Sequence, residues 1–173
     1  MPQKRAELNV EWLADVGASE LLLPRRFVRT AFEEREFGLD AVEDVASTYG
    51  ASLEATARRY VRLSPAQAFF AKLEFAPSQT NPTPELRVKS ASWSPTLDVF
   101  IPPNKSIPRT HPIFGAADGE YVETIADMRS LKFPGRFLVS ARPYPYNNNE
   151  GESVMRVLVL GLNHRSAARS PRR

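Results

Sequence analysis

A change of hydrophobic period near Pro65 constrains this chain more than any other feature. Upstream of it, apolar side chains recur at the spacing of a helix face; downstream they alternate. Residues 5–23 are helix formers with no interior proline, and Pro24 ends them. Residues 25–36 set Phe27, Val28, Ala31 and Phe32 along one stripe, which Gly38 interrupts. The stretch DAVEDVASTYGASLEATARRYVRL predicts two short helices, with Asp40 and Ser52 accepting from the free amides at their starts and Gly50 supplying a left-handed exit. Val42, Val45, Ala46, Leu53, Ala57 and Val61 form their facing sides, the outline of a helix-turn-helix.

Past Pro65, AFFAKLEFA sets Phe69, Ala71, Leu73 and Phe75 against Phe70, Lys72 and Glu74, the pattern of a half-buried strand. Residues 77–85 carry three prolines and no strong apolar residue, so a loop is expected there. Further strands are predicted near 86–92, 97–101, 121–126, 136–142 and 154–161, with a short helix at 112–118 and an exposed loop over 142–153. Five or six strands with little helix imply a mainly antiparallel sheet, and the whole chain reads as α+β. The division falls near Ser64: a helical part over 1–64, a sheet domain over 65–164 and a tail over 165–173.

Charge and composition exclude several classes. The 173 residues carry a net charge of +3, but the tail RSAARSPRR holds four arginines and no acid, so the rest sums to 3 − 4, or −1. The body is therefore close to neutral, without the general positive charge of a nucleic-acid-binding domain. No run approaches the roughly 18 apolar residues of a membrane helix, and the first residues lack an apolar secretory core, so a cytoplasmic protein with no membrane partner is expected. With no cysteine there are no disulfides, thiolate metal sites or cysteine nucleophiles.

The chemistry concentrates at VEWLADVGASELLLP. Glu11 and Asp15 lie four residues apart and project side by side from one helix face. Hydrated zinc needs three protein ligands and an open position. In zinc peptidases with an H-E-x-x-H helix, the third ligand is a carboxylate on a later helix, and an acid one turn on can orient a ligand histidine. Glu11 and Asp15 suit those roles by type and spacing, although acids four apart are common on solvent-facing helices.

The same stretch resembles the ligand helix of the ImmA/IrrE metallopeptidase family, of form E-x-x-A-[DN]-x-x-A-x-x-[IL]-L-[ML]-P, with Glu11, Ala14, Asp15, Ala18, Leu22, Leu23 and Pro24 on the motif positions. The similarity is closest to the family's radiation-response branch. It extends through the helix-turn-helix-like residues 39–62 to LRVKSASWSPTLDVFIPPNKSIPRTHP, where Ile107, Pro108, His111 and Pro112 match a family turn. The resemblance covers roughly residues 6–163 and implies a GAF-like sensor domain for the second half. It further implies zinc-dependent cleavage of a helix-turn-helix transcriptional repressor, with Glu11 as third metal ligand and Asp15 behind it.

One departure changes the expectation. The chain has two histidines, His111 and His164, neither in an H-E-x-x-H, and ten residues precede Glu11. The chain is thus expected to be a truncated family member, catalytically inactive as given, with no catalytic residue and no cofactor; zinc belongs to a longer form. Regulation or binding of the repressor is what remains. His111 reads as a structural imidazole, and His164 is given no role. Two alternatives stand beside this: a sensor with a small-molecule ligand in the C-terminal domain, whose aromatic residues otherwise read as core, and a DNA-associated protein using Arg58, Arg59, Arg62 and the tail. Glu54 and the bland SLEATA segment favour packing of the second short helix over direct DNA contact.

Overall fold

The computed structural model describes residues 17, 18, 20–77, 82–132 and 135–163. The fold is α+β, with a helical part followed by an antiparallel sheet. Residues 20–22 close a first helical stretch. Three helices follow: α1 (Arg25–Glu33), α2 (Leu39–Tyr49) and α3 (Leu53–Leu63). The sheet uses β1 (Ala68–Ala76), β2 (Glu85–Trp93), β3 (Val122–Asp127), β4 (Arg136–Pro143) and β7 (Arg156–Asn163) in the order β2-β1-β7-β4-β3, every neighbouring pair antiparallel. Strands β5 (Tyr146–Asn147) and β6 (Ser153–Val154) form a two-residue ladder across the expected 142–153 loop and its end.

The helices lie on one face of the sheet. Val28, Phe32, Leu39, Val42, Val45, Ala57 and Val61 share a core with Ala68, Phe70, Leu158 and Leu160. Each large side chain so buried contributes on the order of 2 kcal/mol. The opposite face is covered by residues 97–117, 128 and 131, with Leu97, Ile101, Ile107, Ile113 and Leu131 packed on Phe69, Leu73, Phe137 and Val139. Two covered faces explain why β1 is not the half-buried strand that its alternation predicts: Ala68, Phe69, Phe70 and Ala71 are all buried, Leu73 is buried between partly buried Lys72 and Glu74, and Phe75, expected on the buried face, is exposed.

Several local expectations need correcting. Residues 97–101 form no strand, because Pro95, Pro102 and Pro103 bracket them; Leu97 and Ile101 instead pin an irregular segment to the sheet. Helix α1 stops at Glu33, three residues short of the expected 36, and the chain bends so that Arg35 donates to the Ala31 carbonyl at 2.6 Å. Helix α2 begins with Gly38 at its N-cap, not Asp40. The Leu39 amide donates to Ser140 Oγ of β4 at 3.2 Å, so the sheet caps the helix and Asp40 is released for another partner. Ser52 does cap α3, accepting from the Ala55 amide at 3.2 Å, and Gly50 exits α2 at a φ of 61°. The short helix of residues 112–118 is a 3-10 helix. Among the described residues, no helix is long and apolar enough to cross a membrane.

Candidate functional site

The segment carrying the metallopeptidase resemblance enters the described residues only at its end. Glu11 and Asp15 lie outside the described residues, as do His164, the basic tail and Phe133. Where the segment comes into view it splits in two directions. Leu23 is buried against α1 and α2, while Leu21 and Leu22 are 83% and 57% exposed. Phe27, one turn into α1, is 55% exposed with the Arg26 guanidinium 5.9 Å from its ring centroid. Three large apolar side chains within seven residues thus face outward, flanked by Arg25 and Arg26.

Arg59 of α3 fastens this junction. Its Nε donates to the Leu23 carbonyl at 3.0 Å and its guanidinium pairs with Glu20. The hydrogen bond from Arg59, and then one from the Arg25 amide, hold the Glu20 carboxyl below its usual range. Neighbouring Arg58 is equally committed: it pairs with Glu54 at 2.7 Å and donates to Ser92 Oγ of β2 at 3.1 Å. Lys72 of β1 meets the other Glu54 oxygen at 2.9 Å. Burial pushes the Glu54 carboxyl up, but the hydrogen bonds from Arg58 and Lys72 outweigh it, and the net shift is downward. Of the three arginines on α3, only Arg62 is exposed and outside this lattice, which leaves little of the helix to read base edges.

A second polar cluster, not foreseen from sequence, joins α2 to β4. Arg142 is mostly buried, donates to Asp40 and Glu43, and stacks 4.8 Å from the Tyr121 ring centroid. Tyr144 donates its hydroxyl to Glu43. The Arg142 hydrogen bond lowers the Asp40 pKa, and burial, with the Glu43 bond next, raises that of Tyr144. Nothing in local spacing could pair residues 40 and 142, since α2 and β4 meet only in the folded chain.

The remaining donors do not make a zinc centre. His111 spends both ring nitrogens: Nδ1 accepts from the Ile113 amide at 3.3 Å, and Nε2 lies 3.0 Å from the Asp127 carbonyl. It caps the 3-10 helix that begins at Pro112. Among the described residues no group of three or more histidine, cysteine, aspartate or glutamate side chains is placed to hold a metal ion. The residues in view therefore do not fit a catalytic zinc, and no hydrolytic step is assigned to them.

Openings reach the surface on both sides of the sheet. One, of about 260 Å³, lies between α1, the end of α3 and the end of β7. Another, of about 450 Å³, runs along the far face beside Phe75, Arg109 and Phe114. The space under the loop that covers the far face is filled by the core already described.

No protein-family model matches the sequence, and no curated protein matches it. Among solved structures, the chain is similar in fold to a Mycobacterium tuberculosis transcriptional regulator, with a TM-score of 0.55 and 15% sequence identity. The match covers 87% of this chain and 44% of the other, so it spans less than half the length of that protein.

Proposed function

We propose that this chain is a non-catalytic regulatory module of a transcription-control protein related to the ImmA/IrrE metallopeptidases, and that it works by docking a protein partner on the ridge of Leu21, Leu22 and Phe27. The observation that carries this reading is the exposure of three large apolar side chains, Leu21 and Leu22 at the end of the segment whose sequence resembles the family's ligand helix and Phe27 at the start of α1. Grouped apolar exposure of this kind is a mark of an interaction surface. The partner it suits is an amphipathic helix, such as the apolar flank of a helix-turn-helix repressor or the H-E-x-x-H helix of a longer form. In a longer form Glu11 would be the third zinc ligand and Asp15 its outer neighbour. The fold shared with a transcriptional regulator supports a regulatory role.

Direct reading of DNA is disfavoured by the commitment of Arg58 and Arg59 to internal partners. The test is a binding experiment with helix-turn-helix repressors from the same genome. The full chain should retain one of them, and the Leu21→Glu/Phe27→Glu variant should lose it while its melting temperature stays within about 2 °C. Equal retention by both forms, or salt-sensitive retardation of DNA by the chain alone, would overturn the reading.

A further inference from the structure

The cavity between the helices and the sheet has a chemistry of its own. Its floor is aromatic: Phe32 and Tyr60 meet with ring centroids 4.2 Å apart, and Phe37 stands 6.2 Å from Tyr60. Leu63 and Leu162 add aliphatic walls. Its polar capacity is nearly all donor. The Tyr60 hydroxyl makes no hydrogen bond among the described residues, and burial with no compensating partner pushes its phenol up to about 12, so it stays a neutral donor at ordinary pH. Arg35 uses Nη1 on the Ala31 carbonyl, while its Nε sits 3.7 Å from Asp44, beyond hydrogen-bond reach, so further N–H groups are left over. Arg29 uses Nε on Glu33 at 2.8 Å and keeps its two Nη groups. The acceptors are fewer: Glu33 takes the Arg29 bond on Oε1, leaving Oε2 over, and Ser64 Oγ is engaged in mutual hydrogen bonds with Ala66.

We infer that this cavity is a binding site for a small aromatic monocarboxylate, its ring against Phe32, Phe37 and Tyr60 and its carboxylate toward Arg35, Arg29 and the Tyr60 hydroxyl. A surplus of donors calls for an acceptor-only group, and a guanidinium pair suits an oxyanion, of which the planar carboxylate is the smaller. A volume of about 260 Å³ is just below the usual range for ligand sites, which suits one or two fused rings and excludes a nucleotide. The site belongs to the junction and not to the far face of the sheet. Helix α1, helix α3 and β7 all line it, so an occupant bridges the helical layer to the sheet. This inference does not depend on the docking ridge, which uses different side chains.

The test titrates the full chain, labelled at leucine methyl groups, with indole-3-acetate. Indole-3-acetamide serves as the neutral match and tryptamine as the cationic one. Saturable shifts of the Leu63 and Leu162 methyls are expected, with a dissociation constant below about 1 mM for the acid and at least about tenfold weaker binding of the amide and the amine. Tyr60→Phe and Arg35→Gln should each weaken the acid about tenfold, and the exposed Arg29→Gln, which leaves the core untouched, about threefold. Equal binding of acid and amide, tighter binding of the amine, shifts confined to Leu86 and Leu131 on the far face, or no saturable shift at 10 mM acid would each overturn the assignment.

Discussion

Gly161 of β7 sits opposite Phe69 of β1 and opposite Val139 of β4, against the far core. A Cβ built there would lie 2.0 Å from Phe69 Cε1, 2.5 Å from Cζ and 2.7 Å from Cδ1, where ordinary contact is 3.4–4 Å. The ring cannot yield cheaply, because it is fully buried and edge-on to Phe137 at a centroid distance of 5.5 Å. Overpacking of this severity costs about 3 kcal/mol, and the loss of glycine's unfolded-state freedom returns about 1 kcal/mol. Gly161→Ala should thus destabilise by about 2 kcal/mol. With a urea slope of about 2 kcal/mol per molar, the unfolding midpoint should drop by about 1 M. The mechanism is tested in a Phe69→Leu background, which removes Cε1 and Cζ. There the same alanine should cost less than half as much, giving a coupling energy of at least about 1 kcal/mol. A wild-type midpoint for Gly161→Ala, or an equal penalty in both backgrounds, would refute the account of this core.

Three further predictions concern the polar lattice and the cap. Glu54 has a folded pKa below its unfolded value of about 4.5, so its stabilisation is present above about pH 5 and is lost as pH falls through the folded value; Glu54→Gln should therefore lower stability at pH 7 and flatten the acid limb, read from denaturant midpoints at pH 7 and about pH 3.5. Tyr60 has the opposite sign, since its folded pKa of about 12 exceeds the unfolded 10.0, and stability should fall as pH rises from about 10 to about 12; Tyr60→Phe should remove that decline in an alkaline melting series. Ser140→Ala leaves the buried Leu39 amide without its acceptor and should cost about 1–2 kcal/mol by urea unfolding, although the substitution is on the sheet and the loss is felt at the start of α2.

What could be read from sequence was whatever local chemistry decides. The period change at Pro65 separates helices from strands because helix and strand faces need different spacings, and Ser52 and Gly50 act within one turn of their own position. Apart from residues 97–101, where Pro95, Pro102 and Pro103 are local signals against a strand, the main errors arise where partners come from far along the chain. Asp40 has the right chemistry for a cap, but Ser140, about a hundred residues away, takes the amide and Arg142 takes the carboxylate. The alternation of β1 correctly marks its two faces, yet it cannot reveal that α3 covers the second one. The donor-rich cavity was invisible for the same reason: Phe32, Tyr60 and Leu162 are unremarkable singly and meet only when α1, α3 and β7 converge. For the arginines of α3 the sequence favoured packing over DNA contact on account of Glu54 and SLEATA, and the geometry supplies the partners that make Arg58 and Arg59 internal struts.

The central claim is that the face bearing Leu21, Leu22 and Phe27 meets another protein. Its most direct test places a photo-crosslinking p-benzoylphenylalanine at position 22 of the full chain in living cells and identifies what it captures by mass spectrometry. The account predicts a covalent adduct with a helix-turn-helix repressor or with a segment bearing H-E-x-x-H, lost when Phe27 is changed to Glu. Crosslinks confined to residues 1–16 of the same chain would mean that the ridge is covered from within, and would contradict it.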